Sequence, residues 1–201
     1  MNQVPTLIII DMQRGMRAQS AGERNNAGAE HVIAALLAAW RKARSPIVHV
    51  RHVSRTPGSP FWPGQVGAEF QPELAPLDAE HVVEKNVPDA FINTGLEGWL
   101  HARGMNAVAI VGVSTNNSVE STARTAGNLG FDTYVVSDAT FAFAKTDYAG
   151  VRRTAEEVHA MALANLQGEY ATVVTANELM GIGGTVIVAD RSTPPLGVEP
   201  R

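Results

Sequence analysis

Cysteine is absent from this 201-residue chain, which excludes disulfides, thiolate metal sites and a cysteine nucleophile. Long apolar runs are missing too. The opening stretch "MNQVPTLIIIDMQ" has no charged leader and only a short apolar segment, so neither a signal peptide nor a membrane span is expected, and a cytoplasmic location follows. Basic clusters are also lacking: 16 Lys and Arg stand against 20 Asp and Glu, for a formal net charge of -4. Such a balance offers no attraction for a polyanion, so neither nucleic acid nor a membrane surface is expected as a partner. Aromatic residues make up only 6% of the chain, so the few that fall in loops stand out as candidate pocket walls.

What the chain does contain is 45% hydrophobic residues, enough to bury one sizeable core in one domain. Strand and helix signals alternate along it. "TLIIID" is a continuous apolar run ending in an acid, the pattern of a strand covered on both faces. Residues 27–44 carry apolar side chains at helical spacing up to Ser45-Pro46, which stops a helix. "PIVHVRH" reads as the next strand. Residues 54–77 are too rich in proline and glycine for regular structure and read as a long functional loop. "HVVEK" is a short strand, "TGLEGWLHARG" a helix with Thr94 as N-cap and Gly104 as its stop, and "AVAIVGV" a strand. Residues 118–129 read as a helix closed by Gly130, "DTYVVSDA" as a strand, residues 151–166 as a helix and "YATVVTA" as a last strand. This alternation predicts an α/β fold, a mostly parallel sheet with helices on both faces. Ligands in such sheets bind beyond the carboxyl ends of the strands, where the strand order reverses.

Three polar residues fall where that rule places a site. Asp11 ends the first strand, Lys85 ends "HVVEK", and Ser118 follows "AVAIVGV" at a strand-to-helix junction. Taken singly they are a surface acid, a solvated strand end and a helix N-cap. Together they supply a proton acceptor, a cationic clamp and a hydroxyl nucleophile at a helix start whose dipole favours developing negative charge.

The segments "IIIDMQRGM", "EKNVPDAFINTGLEGWL" and "IVGVSTNNSVESTARTAGNLGFDTYVVSDA" resemble the three signature regions of the isochorismatase-like hydrolases, also called the cysteine hydrolase family. The resemblance runs to about Leu179. It implies a Rossmann-like three-layer sandwich over residues 1–180, with residues 181–201 as a C-terminal arm or tail. The family triad is an aspartate in Asp-x-Gln, a lysine ahead of Ala-Phe-x-x-Thr, and a cysteine in Thr-x-x-Cys-Val. These positions are Asp11, Lys85 and Ser118 here, so the chain departs from the family at the nucleophile itself. Either a cysteine has been replaced, or the protein carries serine naturally. A serine hydroxyl is far less acidic than a thiol, so an amide-cleaving site tuned for thiolate would activate it poorly. Some relatives cleave the vinyl ether of isochorismate with the aspartate as general acid, a reaction that needs no covalent nucleophile. The resemblance thus implies a hydrolase of a small amide or related C–N bond. A vinyl ether hydrolase is the alternative, and a silent binding protein of this fold is a third.

The resemblance further implies a cis Val113-Ser114 peptide and an oxyanion hole formed by the N–H groups of Ser114 and Ser118. Gln13 of the Asp-x-Gln motif and Thr115 are expected at the substrate. Asn116 and Asn117 either orient a substrate amide or satisfy the backbone of the turn. Phe61, Trp62 and Phe91 are candidate apolar walls, with core packing as the other reading of Phe91 and Trp62. The nicotinamidase branch of the family carries a metal on an Asp-x-His pair and a further histidine. "HVRHVSRTPGSPFWPG" has no such pair, and His49 and His52, three apart on a strand, face opposite sides. No metal and no cofactor are therefore expected, with His49 in the core or sheet edge and His52 near the pocket. Arg124 is read as tying its helix to a neighbouring acid. In the family the late helix helps to form the oligomer interface. Here "TVIVA" at residues 185–189 reads as an arm onto another subunit, giving a homo-oligomer, dimer or tetramer.

Overall fold

The computed structural model describes residues 4–18 and 21–181. Strand β1 (Thr6–Ile10) is buried at every position, as a strand with helices over both faces must be. It pairs in parallel with β2 (Ile47–His52) on one side and β4 (Ala107–Val113) on the other. Among the described residues, six strands form one parallel sheet. Its order is β3 (His81–Lys85), β2, β1, β4, β5 (Asp132–Phe141), β8 (Thr172–Val174). The chain builds outward from β1 through β2 to β3, then crosses back to β4 and builds the other way. The order therefore reverses between β1 and β4. A separate two-stranded hairpin joins β6 (Lys145–Thr146) to β7 (Arg152–Arg153).

Alternation along β1 splits the core in two. Leu7 and Ile9 pack with α1 (Ala29–Ala43) and α5 (Ala176–Gly181). Ile8 and Ile10 pack toward α2 (Leu96–His101), α3 (Glu120–Asn128) and α4 (Ala155–Leu166). The result is the three-layer α/β architecture expected. No helix among the described residues is long and apolar enough to cross a membrane.

Four local details differ from the expectations, each for a physical reason. Helix α2 begins at Leu96 with Gly95 at the cap; Thr94 sits one residue earlier, accepting the Leu96 N–H at 3.3 Å and donating to the Ala90 carbonyl at 2.6 Å. The helix after β4 does not start at Ser118 but opens as a π-helical turn over Thr115–Val119. Helix α4 starts at Ala155, because Thr154 and Glu157 form a reciprocal capping box there. Helix α5 was not anticipated, although Thr175 and Glu178 carry the same signature and make the same bonds. The loop over residues 54–77 contains two short 3-10 turns, Val66–Ala68 and Pro72–Leu74. It is fastened beside the end of β1 by Arg14 N–H to Glu69 O (2.9 Å) and Gln71 N–H to Met12 O (3.0 Å). The 185–189 run expected to form an arm lies outside the described residues.

One glycine controls how β1 and β4 meet. Gly112 has φ +112°, next to the irregularity in the β4–β5 register, and a Cβ there would lie 2.1 Å from the Ile10 carbonyl oxygen. Only glycine lets the two backbones approach this closely. Gly112→Ala is therefore expected to lower the unfolding free energy by roughly 2–5 kcal/mol through combined strain and overlap. Chemical denaturation measures it, and a variant as stable as the parent would contradict this account.

Candidate active site

The reversal between β1 and β4 opens a crevice at the carboxyl edge of the sheet, and the chain delivers three polar side chains to it. Asp11 follows β1 directly. Its φ is +51°, a left-handed conformation that few residues other than glycine adopt and that aspartate tolerates better than most. Residues held there by their surroundings cluster at functional sites. Lys85 is the last residue of β3, two strands from β1, so its long side chain must pass the end of β2 to reach the crevice. Ser118 projects from the π-helical turn, a form of helix found mostly at functional positions. The Val113-Ser114 peptide that leads into this turn is cis.

The three converge. Lys85 Nζ donates to Asp11 Oδ2 at 2.7 Å and to Ser118 Oγ at 3.3 Å. Lys85 and Asp11 are almost fully shielded from solvent, with side-chain exposures of 0% and 2%, and Ser118 is buried as well. Burial pushes the Asp11 carboxyl above its usual range; the charge and hydrogen bond of Lys85 oppose this, and the neighbouring Ser118 hydroxyl and His52 act in the same sense as Lys85. Asp11 Oδ1 is buried and has no hydrogen-bond partner among the described residues. The site thus holds a buried ion pair, a hydroxyl touched by the cation, and a spare carboxylate oxygen able to take or give a proton.

The surroundings hold these groups in place. Gln13 uses its whole side-chain amide on main chain: Nε2 donates to His52 O (3.0 Å) and Ala68 O (2.9 Å), and Oε1 accepts from His52 N–H (2.8 Å). Expected at the substrate, Gln13 instead clamps the loop of residues 54–77 against the ends of β1 and β2. The segment after Lys85 is tied to α3 by Ala90 N–H donating to Thr122 Oγ1 (3.1 Å) and by a short Thr125–Asp89 bond. Arg124 donates to Glu120 at 2.8 Å, one turn earlier in the same helix.

The remaining expected residues divide. His52 is half-buried beside the triad; burial lowers its pKa, Lys85 reinforces the shift and Asp11 opposes it. Phe61 lies edge-on to His52 at 6.2 Å and sits over Gly15, where a Cβ would come within 2.8 Å of the ring. Trp62 is half-buried in the same loop. Phe91 is corrected from pocket wall to core: it is 7% exposed and stacks on Phe131 at 5.8 Å. Thr115 is fully buried and turns its hydroxyl inward to His159 Nδ1 at 2.8 Å, away from the substrate role expected of it. Asn116 is half-buried and Asn117 exposed on the outer side of the turn. His159 was not anticipated; the available signal was a lone histidine on the buried face of an alanine- and leucine-rich helix.

Among the described residues, the two histidines of β2 are engaged away from any shared metal position. His49 is fully buried within β2 and spends Nε2 on Glu80 at 2.8 Å, while His52 faces Phe61. Arg41 also grips Glu80, whose pKa is lowered to about 2 by its hydrogen bonds despite the opposing effect of burial. Among the described residues, no group of three or more His, Asp or Glu side chains could hold a metal ion.

A sign-specific test follows from the Asp11–Lys85 pair. In Lys85→Met, burial is left unopposed by the cation, so the folded-state pKa of Asp11, already raised in the parent, moves further above its unfolded value. Such a group contributes stability below the unfolded pKa and loses it as pH rises through the folded pKa. Lys85→Met should therefore be destabilised by about 3–5 kcal/mol at neutral pH and by clearly less in acid. Urea midpoints of parent and variant at about pH 5 and about pH 8 measure this; a pH-independent difference would refute it.

A model of the isochorismatase domain matches residues 5–178. The isochorismatase-family protein YrdC of Bacillus subtilis (strain 168) is 37% identical over 180 residues, covering 90% of this chain and 96% of its own. Nicotinamidase 3 of Arabidopsis thaliana is 27% identical over 191 residues, covering 89% and 88%. The crystal structure of an isochorismatase-family protein from Chromobacterium violaceum ATCC 12472 superposes with a TM-score of 0.87 at 48% identity, covering 89% of this chain and 92% of that one.

Proposed function

The chain belongs to the isochorismatase family, whose members are hydrolases, and on that premise we propose that it is a metal-independent hydrolase of a small amide or related C–N bond. The observation that carries this reading is the single buried contact set in which Lys85 bridges Asp11 and the hydroxyl of Ser118. In the proposed reaction the atom at position 118 attacks the substrate carbonyl carbon and Asp11 takes its proton. The tetrahedral oxyanion rests on the N–H groups of Ser114 and Ser118. Asp11 passes the proton to the leaving nitrogen as the C–N bond breaks, and water then hydrolyses the acyl-enzyme. Lys85 stabilises the charged site throughout. His52 and Phe61 form the wall against which a small planar substrate is held. A relative at this distance is a nicotinamidase, which supports carboxamide chemistry as the class. A homo-oligomer, dimer or tetramer, belongs to the same reading and rests on the apolar run at residues 185–189.

A second reading has its own observation. Burial raises the pKa of Asp11, which suits a carboxyl acting as general acid, and a vinyl ether can be protonated and hydrolysed with serine at position 118 as a bystander.

Ser118→Cys separates the two. Against a panel of small carboxamides, the cysteine form should hydrolyse at least one of them at least about 100-fold faster than the serine form, because the site then holds a group it can ionise. Asp11→Asn in the same background should abolish the gain. No carboxamide turnover by the cysteine form, together with Asp11-dependent vinyl ether cleavage by the serine form, would overturn the amidase reading in favour of the second.

A further inference from the structure

The turn that carries Ser118 is held by two side-chain anchors on opposite sides. One is the Lys85 contact to Ser118. The other lies outside the reacting groups: Thr115, the first residue of the turn, is hydrogen-bonded through Oγ1 to His159 Nδ1 at 2.8 Å. Both partners are buried, with exposures of 0% and 5%. His159 comes from α4, which is far from the triad in sequence and packs directly on the turn. Within the turn, the widened backbone ladder runs from Val119 N–H to Ser114 O (3.2 Å), and the Glu120 N–H reaches the Thr115 carbonyl. A π-helical turn has poorer intrinsic stability than α-helix and persists where its surroundings determine it. Thr115 therefore fixes the point from which the N–H groups of residues 114 and 118 and the side chain of residue 118 are aimed.

We propose that His159 is a positioning residue, which acts through Thr115 to hold the 114–118 turn in the geometry that stabilises negative charge on the side chain at position 118. The inference rests on the reading of Ser118 as the nucleophile position. Burial lowers the pKa of the His159 ring, with Glu156 on its own helix and the Ser137 main-chain carbonyl opposing. A neutral imidazole there adds no charge to the site. Its effect is geometric, transmitted by one hydrogen bond, and it should be reproduced by any side chain that supplies a partner at the Nδ1 position.

The absence of cysteine elsewhere in the chain makes the test clean. In Ser118→Cys the sole thiol reports on the turn, and its pKa is read from the pH dependence of thiolate absorbance, with iodoacetamide alkylation rates as a second readout. Expected are a thiol pKa below the free value of about 8.5, a rise of about one unit on adding His159→Leu, and recovery with His159→Asn, whose side-chain amide can meet Thr115. Thr115→Val removes the same bond from the other end with little change in shape. It should give the same rise, and combining it with His159→Leu should add nothing further. A depressed thiol pKa that is unchanged in both His159→Leu and Thr115→Val would overturn the proposal and leave the nucleophile reading intact, even if thermal stability fell. An ordinary thiol pKa in Ser118→Cys itself would overturn both.

Discussion

The buried ion pair between Asp11 and Lys85 is the constraint around which the rest of this molecule is arranged. Two charges with almost no solvent contact lose most of their hydration, and one bond of 2.7 Å restores only part of it. The upward push on the Asp11 carboxyl is the local mark of that imbalance. Buried pairs of this kind are poor sources of net stability, since apolar residues of similar volume often serve as well. On the proposed reading, the pair is a cost carried for chemistry. It stands at the one place where the strand order reverses, so that charges from β1 and β3 and a hydroxyl from beyond β4 can meet without crossing the core.

Such a pair tolerates little error in position, and much of the surrounding structure reduces that error. Gly112 lets β4 lie close against β1, which sets the distance from Asp11 to the turn that holds Ser118. Gln13, two residues after Asp11, spends its side chain on the main chain of residues 52 and 68, and so fixes the end of β2 that Lys85 must pass. Thr122 and Thr125 on α3 hold the segment following Lys85. Gly112 apart, each support is a polar side chain satisfying main-chain or carboxylate partners near the site, and none needs to touch a substrate.

Much of this was legible beforehand, because the strongest signals are those of pattern. Short apolar runs such as 6–10 and 107–113, rich in Ile and Val, have the pattern of strands buried on both faces, and their alternation with helices points to a parallel sheet and the edge where a site belongs. Asp11, Lys85 and Ser118 could be named because each ends or follows such a run. The illegible parts depend on side-chain direction. Gln13 and Phe91 lie within the same motifs as Asp11 and Lys85, yet one turns to main chain and the other to Phe131, and periodicity does not distinguish these from pocket-facing roles. His159 reaches Thr115 across more than forty residues of chain, a pairing set by how α4 docks rather than by any local spacing. Helix α5 is signalled only by its capping pair at Thr175 and Glu178, because six residues are too few to display a helical period.

The element at position 118 decides what this geometry can accomplish. At 3.3 Å, Lys85 Nζ stands slightly beyond the usual range of about 2.7–3.2 Å for an N–H···O bond; the larger radius of sulfur would bring a thiol into full contact at the same spacing. An ammonium in a dry site favours the anionic form of whatever it faces. Applied to a thiol with an unperturbed pKa of about 8.5, a shift of one or two units reaches neutrality. Applied to an alcohol, whose ionisation lies far higher, the same shift leaves the hydroxyl protonated. On the proposed reading the serine is held in the position of a nucleophile without the charge of one, while the carboxyl of Asp11 beside Lys85 can still move a proton. On the proposed reading, a reaction that needs only that proton is open to the serine form, and one that needs an anion at position 118 runs slowly in it.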